Sequence, residues 1–158
     1  MLELGYLDGL QTGLVSALYR VKHLPKKTIE IYLPSELGYE KVAMATAASV
    51  AKKMGFSLDR IEDLKTAVGE AVTNAIEHGN QRNVEIKVLV TLTIQETSLA
   101  LNVVDQGSKP IPSLPQTREG REDNRGWGMF LIQNLMDEVE VVARPGRNEM
   151  RMVIHLAK

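Results

Sequence analysis

The stretch EAVTNAIEHG, residues 70–79, decides how this 158-residue chain is read. It closes an apolar series, Ile61, Leu64, Val68, Val72, Ala75 and Ile76, that recurs at three- and four-residue steps behind Ser57, a candidate N-cap. The spacing predicts a helix that runs until His78-Gly79 ends it. At about 100° per residue, Glu70, Asn74 and His78 fall on one polar stripe of that helix, away from its apolar face. The small Ala67 and Ala71 flank the stripe and would let a ligand approach closely. A carboxylate one turn from a neutral amide suits magnesium-assisted phosphoryl transfer. The amide oxygen can ligate a hard cation, and the carboxylate can orient or deprotonate an attacking hydroxyl or water. A plain polar helix face with no ligand has the same pattern.

Working outward, the β-rich stretches from Val84 to Ile94 and from Leu99 to Asp105 predict an antiparallel hairpin. Asp105-Gln106-Gly107 puts a carboxylate at the end of that sheet, where it can accept from an exocyclic amine such as adenine's, while Gly107 lets a flat ring approach the backbone. An Asx-type turn is the simpler reading. Residues 107–125 carry three prolines and a run of charges without sustained period, and predict a loop. Arg125-Gly126-Trp127-Gly128 then opens a helix to Met136, and glycines at a helix start expose amides at the positive end of its dipole, which favours phosphate. A last hairpin, Val139 to Val142 and Met150 to Leu156, turns at Pro145-Gly146.

Upstream, Thr28 to Leu33 alternates as a half-buried strand. After Pro34, Ser35 reads as the N-cap of a helix from Glu36 to Met54 with Ala43, Ala47, Val50 and Met54 inward, and Gly55 stops it. Residues 1–25 form a leader whose Leu7, Leu10, Leu14, Leu18 and Val21 make one face of an amphipathic helix, packed on the domain or on a partner. Residues 26–158 form the one globular domain. Its strands outnumber what one helix can cover. The predicted fold class is therefore α/β (α+β): a two-layer sandwich with a mixed, mostly antiparallel sheet covered on one face by helices.

Bulk properties narrow the function. A net charge of -1 gives no basic field for direct nucleic-acid binding. The absence of cysteine excludes disulfides, cysteine nucleophiles and thiolate metal sites. Glu3 and Asp8 stand where a signal peptide needs positive charge, and no apolar run reaches membrane-spanning length, so a cytoplasmic location with no membrane contact is expected.

EAVTNAIEHG, VVDQG and NRGWGMFLIQNLMDEVEV resemble, in order and spacing, the N box and two glycine boxes of the gyrase, chaperone, histidine kinase and mismatch-repair ATPase superfamily. The E-x-x-x-N-A-x-x-H-G form and the G-x-G-x-x-L-I-x-x-L-M-D ending are similar to those of the anti-sigma-factor serine kinases (RsbW-like), over residues 26 to 156. The resemblance implies that family's sandwich, with ATP and magnesium held between helices and sheet beneath a lid of residues 108–125. It implies magnesium coordination by Asn74, Glu70 as catalytic base and Asp105 as acceptor of the adenine amine. Gly107 would lie beside the base, and Arg125, Gly126, Trp127 and Gly128 along the phosphates. His78 and Gly79 match the motif and are expected to shape the helix end, His78 bordering the ATP site. The chain departs from the pattern entering the last strand, where many members carry a Gly-Thr pair and this one has Arg147-Asn148-Glu149-Met150.

The function implied is a serine/threonine protein kinase that phosphorylates a small antagonist protein and sequesters a sigma factor, with a homodimer as a further expectation. A catalytically silent ATP-binding partner switch is the alternative, for which Glu70 would be superfluous. A histidine kinase would need a longer dimerising leader, and His23 is the only histidine upstream.

Overall fold

The computed structural model describes residues 12–17, 26–107 and 124–157. The side chains of Asn124 and Arg125, the expected lid and most of the leader, including Leu7, Leu10, Leu18 and Val21, lie outside the described residues. Within the leader, residues 12–17 are helical and Leu14 is exposed.

The elements follow as β1 (Lys27–Pro34), α1 (Glu40–Met54), α2 (Leu58–Asn74), a π turn (Ala75–Gly79), β2 (Lys87–Ile94), β3 (Ser98–Asp105), α3 (Asn124–Leu135), β4 (Glu138–Arg144) and β5 (Arg147–His155). The five strands lie in the order β1-β2-β3-β5-β4, and every pairing is antiparallel. Register explains the two layers. Ile31, Val90, Val103, Met150 and Val141 form one row straight across the sheet, and Ile29, Leu92, Leu101, Met152 and Val139 form the next on that face. The other face carries Glu30, Thr91, Asn102, Arg151 and Glu140 in a row. With side chains alternating along each strand, one face must be covered and the other can meet water. Ala43, Ala47 and Ala51 of α1, Leu64, Val68 and Val72 of α2, and Met129 and Ile132 of α3 provide the cover in one core. No helix among the described residues is long and apolar enough to cross a membrane.

Local signals set most boundaries. Ser57 accepts from the Arg60 amide at 3.3 Å as the N-cap of α2, and Gly55 ends α1 in the left-handed region at φ 91°. Pro145-Gly146 turns the last hairpin with Gly146 at φ 71°. Ser35 departs from expectation. Rather than capping a helix from Glu36, it is fully buried, donates from Oγ to the Ile86 carbonyl at 2.5 Å and receives the Asn80 amide at 3.0 Å. The helix starts later, at Glu40, and β2 starts at Lys87 rather than Val84.

One ion pair fastens the helix layer to the sheet. Arg60, near the start of α2, reaches Asp137 Oδ2 at 2.5 Å, and the same oxygen accepts the His155 amide at 2.7 Å. Both charged side chains are largely buried, so removing Asp137 leaves Arg60 only the longer and more exposed pairing with Asp63 at 3.6 Å. Asp137→Ala is expected to destabilise the fold by roughly 2–4 kcal/mol. That corresponds to a fall in Tm of very roughly 5–15 °C, readable by thermal denaturation. A melting temperature within a degree of the unsubstituted chain would show the pair to be dispensable.

Candidate functional site

Two clusters of the expected residues form along one helix. Glu70 and Asn74 lie on the last two turns of α2, where α3 crosses them. Their side chains are half-buried against Gly128 and Met129, and Asn74 Nδ2 approaches the Met129 sulfur at 3.8 Å. A Cβ at Gly128 would stand 2.6 Å from Glu70 Oε2 and 3.7 Å from Asn74 Nδ2. Burial raises the Glu70 pKa above the ordinary carboxylate value. Such a carboxyl is better matched to taking a proton near neutral pH than an exposed one.

The second cluster lies where the π turn meets the end of β3. Asp105 is buried, and its Oδ1 accepts from the Gly107 amide at 2.8 Å and from Asn148 Nδ2 at 3.0 Å. The Asx turn and the buried sheet-end carboxylate are therefore the same structure. A Cβ at Gly79 would fall 2.3–2.6 Å from the Asp105 carboxyl atoms, and one at Gly107 would fall 2.3 Å from the Gly79 carbonyl oxygen. At 1.5 Å rise per residue, Glu70 stands roughly 13 Å from Gly79 along the helix. A carboxylate acceptor thus lies near one end of the helix segment and a proton-accepting carboxyl near the other.

The packing gives these small residues reasons beyond those expected from the sequence. Ala67 and Ala71 are buried in the core, so their small size serves helix packing and not ligand access. Gly79 is the last residue of the helical run, as expected, but it has no positive φ and is not a left-handed cap. The chain leaves the helix through Gln81 and Arg82 at φ 53° and 57°, and Gly79 is small to admit Asp105. Gly107 is small to admit the Gly79 backbone, a requirement separate from any flat ring. Gly128 is the fifth residue of α3, past the four positions whose amides lack an acceptor within the helix, and leaves room for Glu70.

His78 lies on the π turn, which closes with an i to i+5 bond, Asn80 amide to Ala75 carbonyl at 2.8 Å, so the helix does not keep one winding from Glu70 to His78. Its ring stands 4.0 Å from Glu77. Gly126 is buried on the first turn of α3, while Trp127 is 41 % exposed and stacks on Phe130 with centroids 5.5 Å apart. Arg125 is helical, with its side chain outside the described residues.

Two buried asparagines escaped the sequence reading. Asn148 faces Asp105 directly across the β3–β5 ladder. Its signal was a polar residue in the inward series Asn148, Met150, Met152, Ile154. Asn80, just past the π turn, accepts the Gln106 amide at 2.9 Å and donates to Ser35 at 3.0 Å and to the Lys87 carbonyl at 3.3 Å. No local pattern marks it.

No group of three or more His, Asp or Glu among the described residues could hold a metal. One amide oxygen and one carboxylate fit a magnesium ion that takes its other ligands from phosphates and water.

Residues 33–154 match the family described as histidine kinase-like ATPase domain. The serine-protein kinase RsbW of Oceanobacillus iheyensis is 33% identical over 144 residues, 82% of this chain and 85% of that protein. Its counterpart in Bacillus velezensis is 35% identical over 132 residues, 75% and 79% of the two chains. Among solved structures, the RsbU and RsbW domains of a Mycobacterium tuberculosis protein share the fold with a TM-score of 0.63 at 19% identity, covering 84% of this chain and 32% of that one.

Proposed function

Because the chain belongs to the histidine kinase-like ATPase family and groups there with the serine-protein kinases named RsbW, we propose that it transfers the γ-phosphoryl group of ATP to a serine or threonine of a small antagonist protein. In its other state it holds a sigma factor inactive. The observation that carries this reading is the half-buried Glu70 carboxyl, seated against Gly128 one turn from Asn74, with a pKa raised by burial.

Each residue then has one task. Asp105 accepts a hydrogen bond from the adenine amine. The amide oxygen of Asn74 is the protein ligand of magnesium, which neutralises phosphate charge when bound. The first turn of α3, at Gly126, faces the phosphates with its dipole favouring anions, while Gly128 leaves room for Glu70. Glu70 receives the proton of the acceptor hydroxyl as its oxygen bonds to the γ-phosphorus and the bond to the ADP oxygen breaks. Little covalent help is needed, since positioning and charge stabilisation dominate phosphoryl transfer.

Calorimetric titration with ATP tests the site. Binding of the unsubstituted chain is expected to need magnesium, and Asn74→Ala is expected to weaken magnesium-ATP binding by tenfold or more. Equal affinity with and without magnesium would remove Asn74 from the assignment, and no ATP binding at all would overturn the proposed function.

A further inference from the structure

The Asp105-Gln106-Gly107 turn is gripped from two sides by residues outside the motifs that carried the family resemblance. From β5, Asn148 Nδ2 donates to Asp105 Oδ1 at 3.0 Å and lies 3.4 Å from the Gly107 carbonyl oxygen. From the far side of the π turn, Asn80 Oδ1 accepts the Gln106 amide at 2.9 Å. Asn80 is itself anchored, because its Nδ2 donates to Ser35 Oγ and to the Lys87 carbonyl, and Ser35 Oγ in turn donates a hydrogen bond to the Ile86 carbonyl. The network thus joins the end of β1, the start of β2, the exit from the π turn and the end of β3. Asn80, Asn148 and Ser35 are 3%, 1% and 0% exposed, so each lost bond would leave a polar group without water to replace it.

We infer that Asn148, backed by Asn80, is the positioning residue that gives the base pocket its selectivity for a purine bearing an exocyclic amine. This rests on the proposed role of Asp105 as acceptor of that amine. The two asparagines are not equivalent. Asn80 holds backbone at Gln106 and so fixes where the turn stands. Asn148 bonds the carboxylate itself. Two donors converge on Oδ1, one from Asn148 and one from the Gly107 amide, and together they set the plane in which the carboxyl group lies. A ligand amine is recognised only if the acceptor is aimed at it, since a bond misdirected by a few tenths of an ångström and tens of degrees loses most of its strength. The Gly107 amide belongs to the same short turn as Asp105. Asn148 alone of these donors comes from the opposite strand of a ladder, where β3 and β5 pair from Ser98 to Asp105. It therefore ties the carboxylate to the rigid part of the sheet.

The experiment compares ATP with purine riboside triphosphate, which lacks only the exocyclic amine, by calorimetry in magnesium on the full chain. The unsubstituted protein is expected to favour ATP by about 10–100-fold. In Asn148→Leu, which keeps the volume and removes the donor, that ratio should fall to within about threefold of unity through loss of ATP affinity, with the analogue binding as before. Asn80→Ala should lower the ratio less than Asn148→Leu does. If Asn148→Leu does not fold, Asn148→Ser is read by the same ratio. A variant that weakens both nucleotides in parallel, leaving the ratio intact, shows a merely structural asparagine and overturns the inference while sparing the proposed function. An unsubstituted chain that binds ATP without preferring it overturns the inference together with the role of Asp105.

Discussion

Glu70→Gln is expected to lower phosphoryl transfer by about 10²–10⁴-fold while leaving ATP affinity within a few-fold of the unsubstituted chain. Gln fills the same space against Gly128, so the crossing of α2 and α3 should be unaltered, but an amide cannot take the hydroxyl proton. Burial raises the Glu70 pKa, so transfer should fail on the acid side at a pH above the ordinary value of 4.5, because the base must be ionised to work. Stability should respond in the opposite sense. The native state binds this proton more tightly than the unfolded chain, so the Glu70 contribution is most favourable below the unfolded pKa. It declines as pH rises through the folded one. At neutral pH the ionised, half-buried carboxylate is a liability that Gln removes. The variant should therefore melt higher than the unsubstituted protein at pH 7, and this advantage should disappear under acid conditions where Glu70 is protonated. Transfer from γ-labelled ATP to the antagonist protein reads the first effect and thermal denaturation across pH the second. Unimpaired transfer in the Gln variant would end the assignment of Glu70 as base, whatever the melting curves show.

The sandwich and the order of its elements were legible because they rest on local regularities. Period-two alternation marked β1, β-rich composition marked β2 and β3, the Ile61 to Ile76 series marked α2, and Gly55, Ser57 and Pro145-Gly146 marked boundaries through their own backbone chemistry. What stayed hidden depends on contacts between distant segments. Ser35 looks like a cap because serine after proline before a helical series is a cap pattern, yet it is claimed by Asn80, 45 residues away. The straight stripe of Glu70, Asn74 and His78 assumed constant winding. Nothing in AIEHG announces that the ladder widens there, because the widening is fixed by packing of the turn on Asp105. The glycines show the same division. Those at 79, 107 and 128 were read as marks of a helix end or of an approaching ligand, and the protein atoms that crowd each were tertiary information.

That division yields a graded prediction, with Gly107→Ala as its most damaging member. At Gly107 the new Cβ would meet Gly79 backbone atoms at 2.3–2.8 Å, and backbone held in a π turn and at the end of a sheet has no rotamer to escape through. The π turn and β3 would have to separate, carrying Asp105 from its seat on Gly79 and straining the Asn80 and Asn148 bonds to the same turn. Overpacking of this kind is expected to destabilise by about 2–3 kcal/mol. That is a fall in Tm of roughly 4–12 °C. ATP affinity should drop by tenfold or more, because the amine acceptor is displaced. Gly128→Ala is the contrast. Its Cβ meets the flexible end of Glu70, which can swing aside, so the variant should fold and bind ATP but transfer poorly. Melting temperature, ATP affinity and transfer measured on the two variants separate the causes. A Gly107→Ala protein that melts and binds ATP like the unsubstituted chain would mean that the Gly79 carbonyl is not what demands glycine there. The requirement at 107 would then have to come from the bound nucleotide.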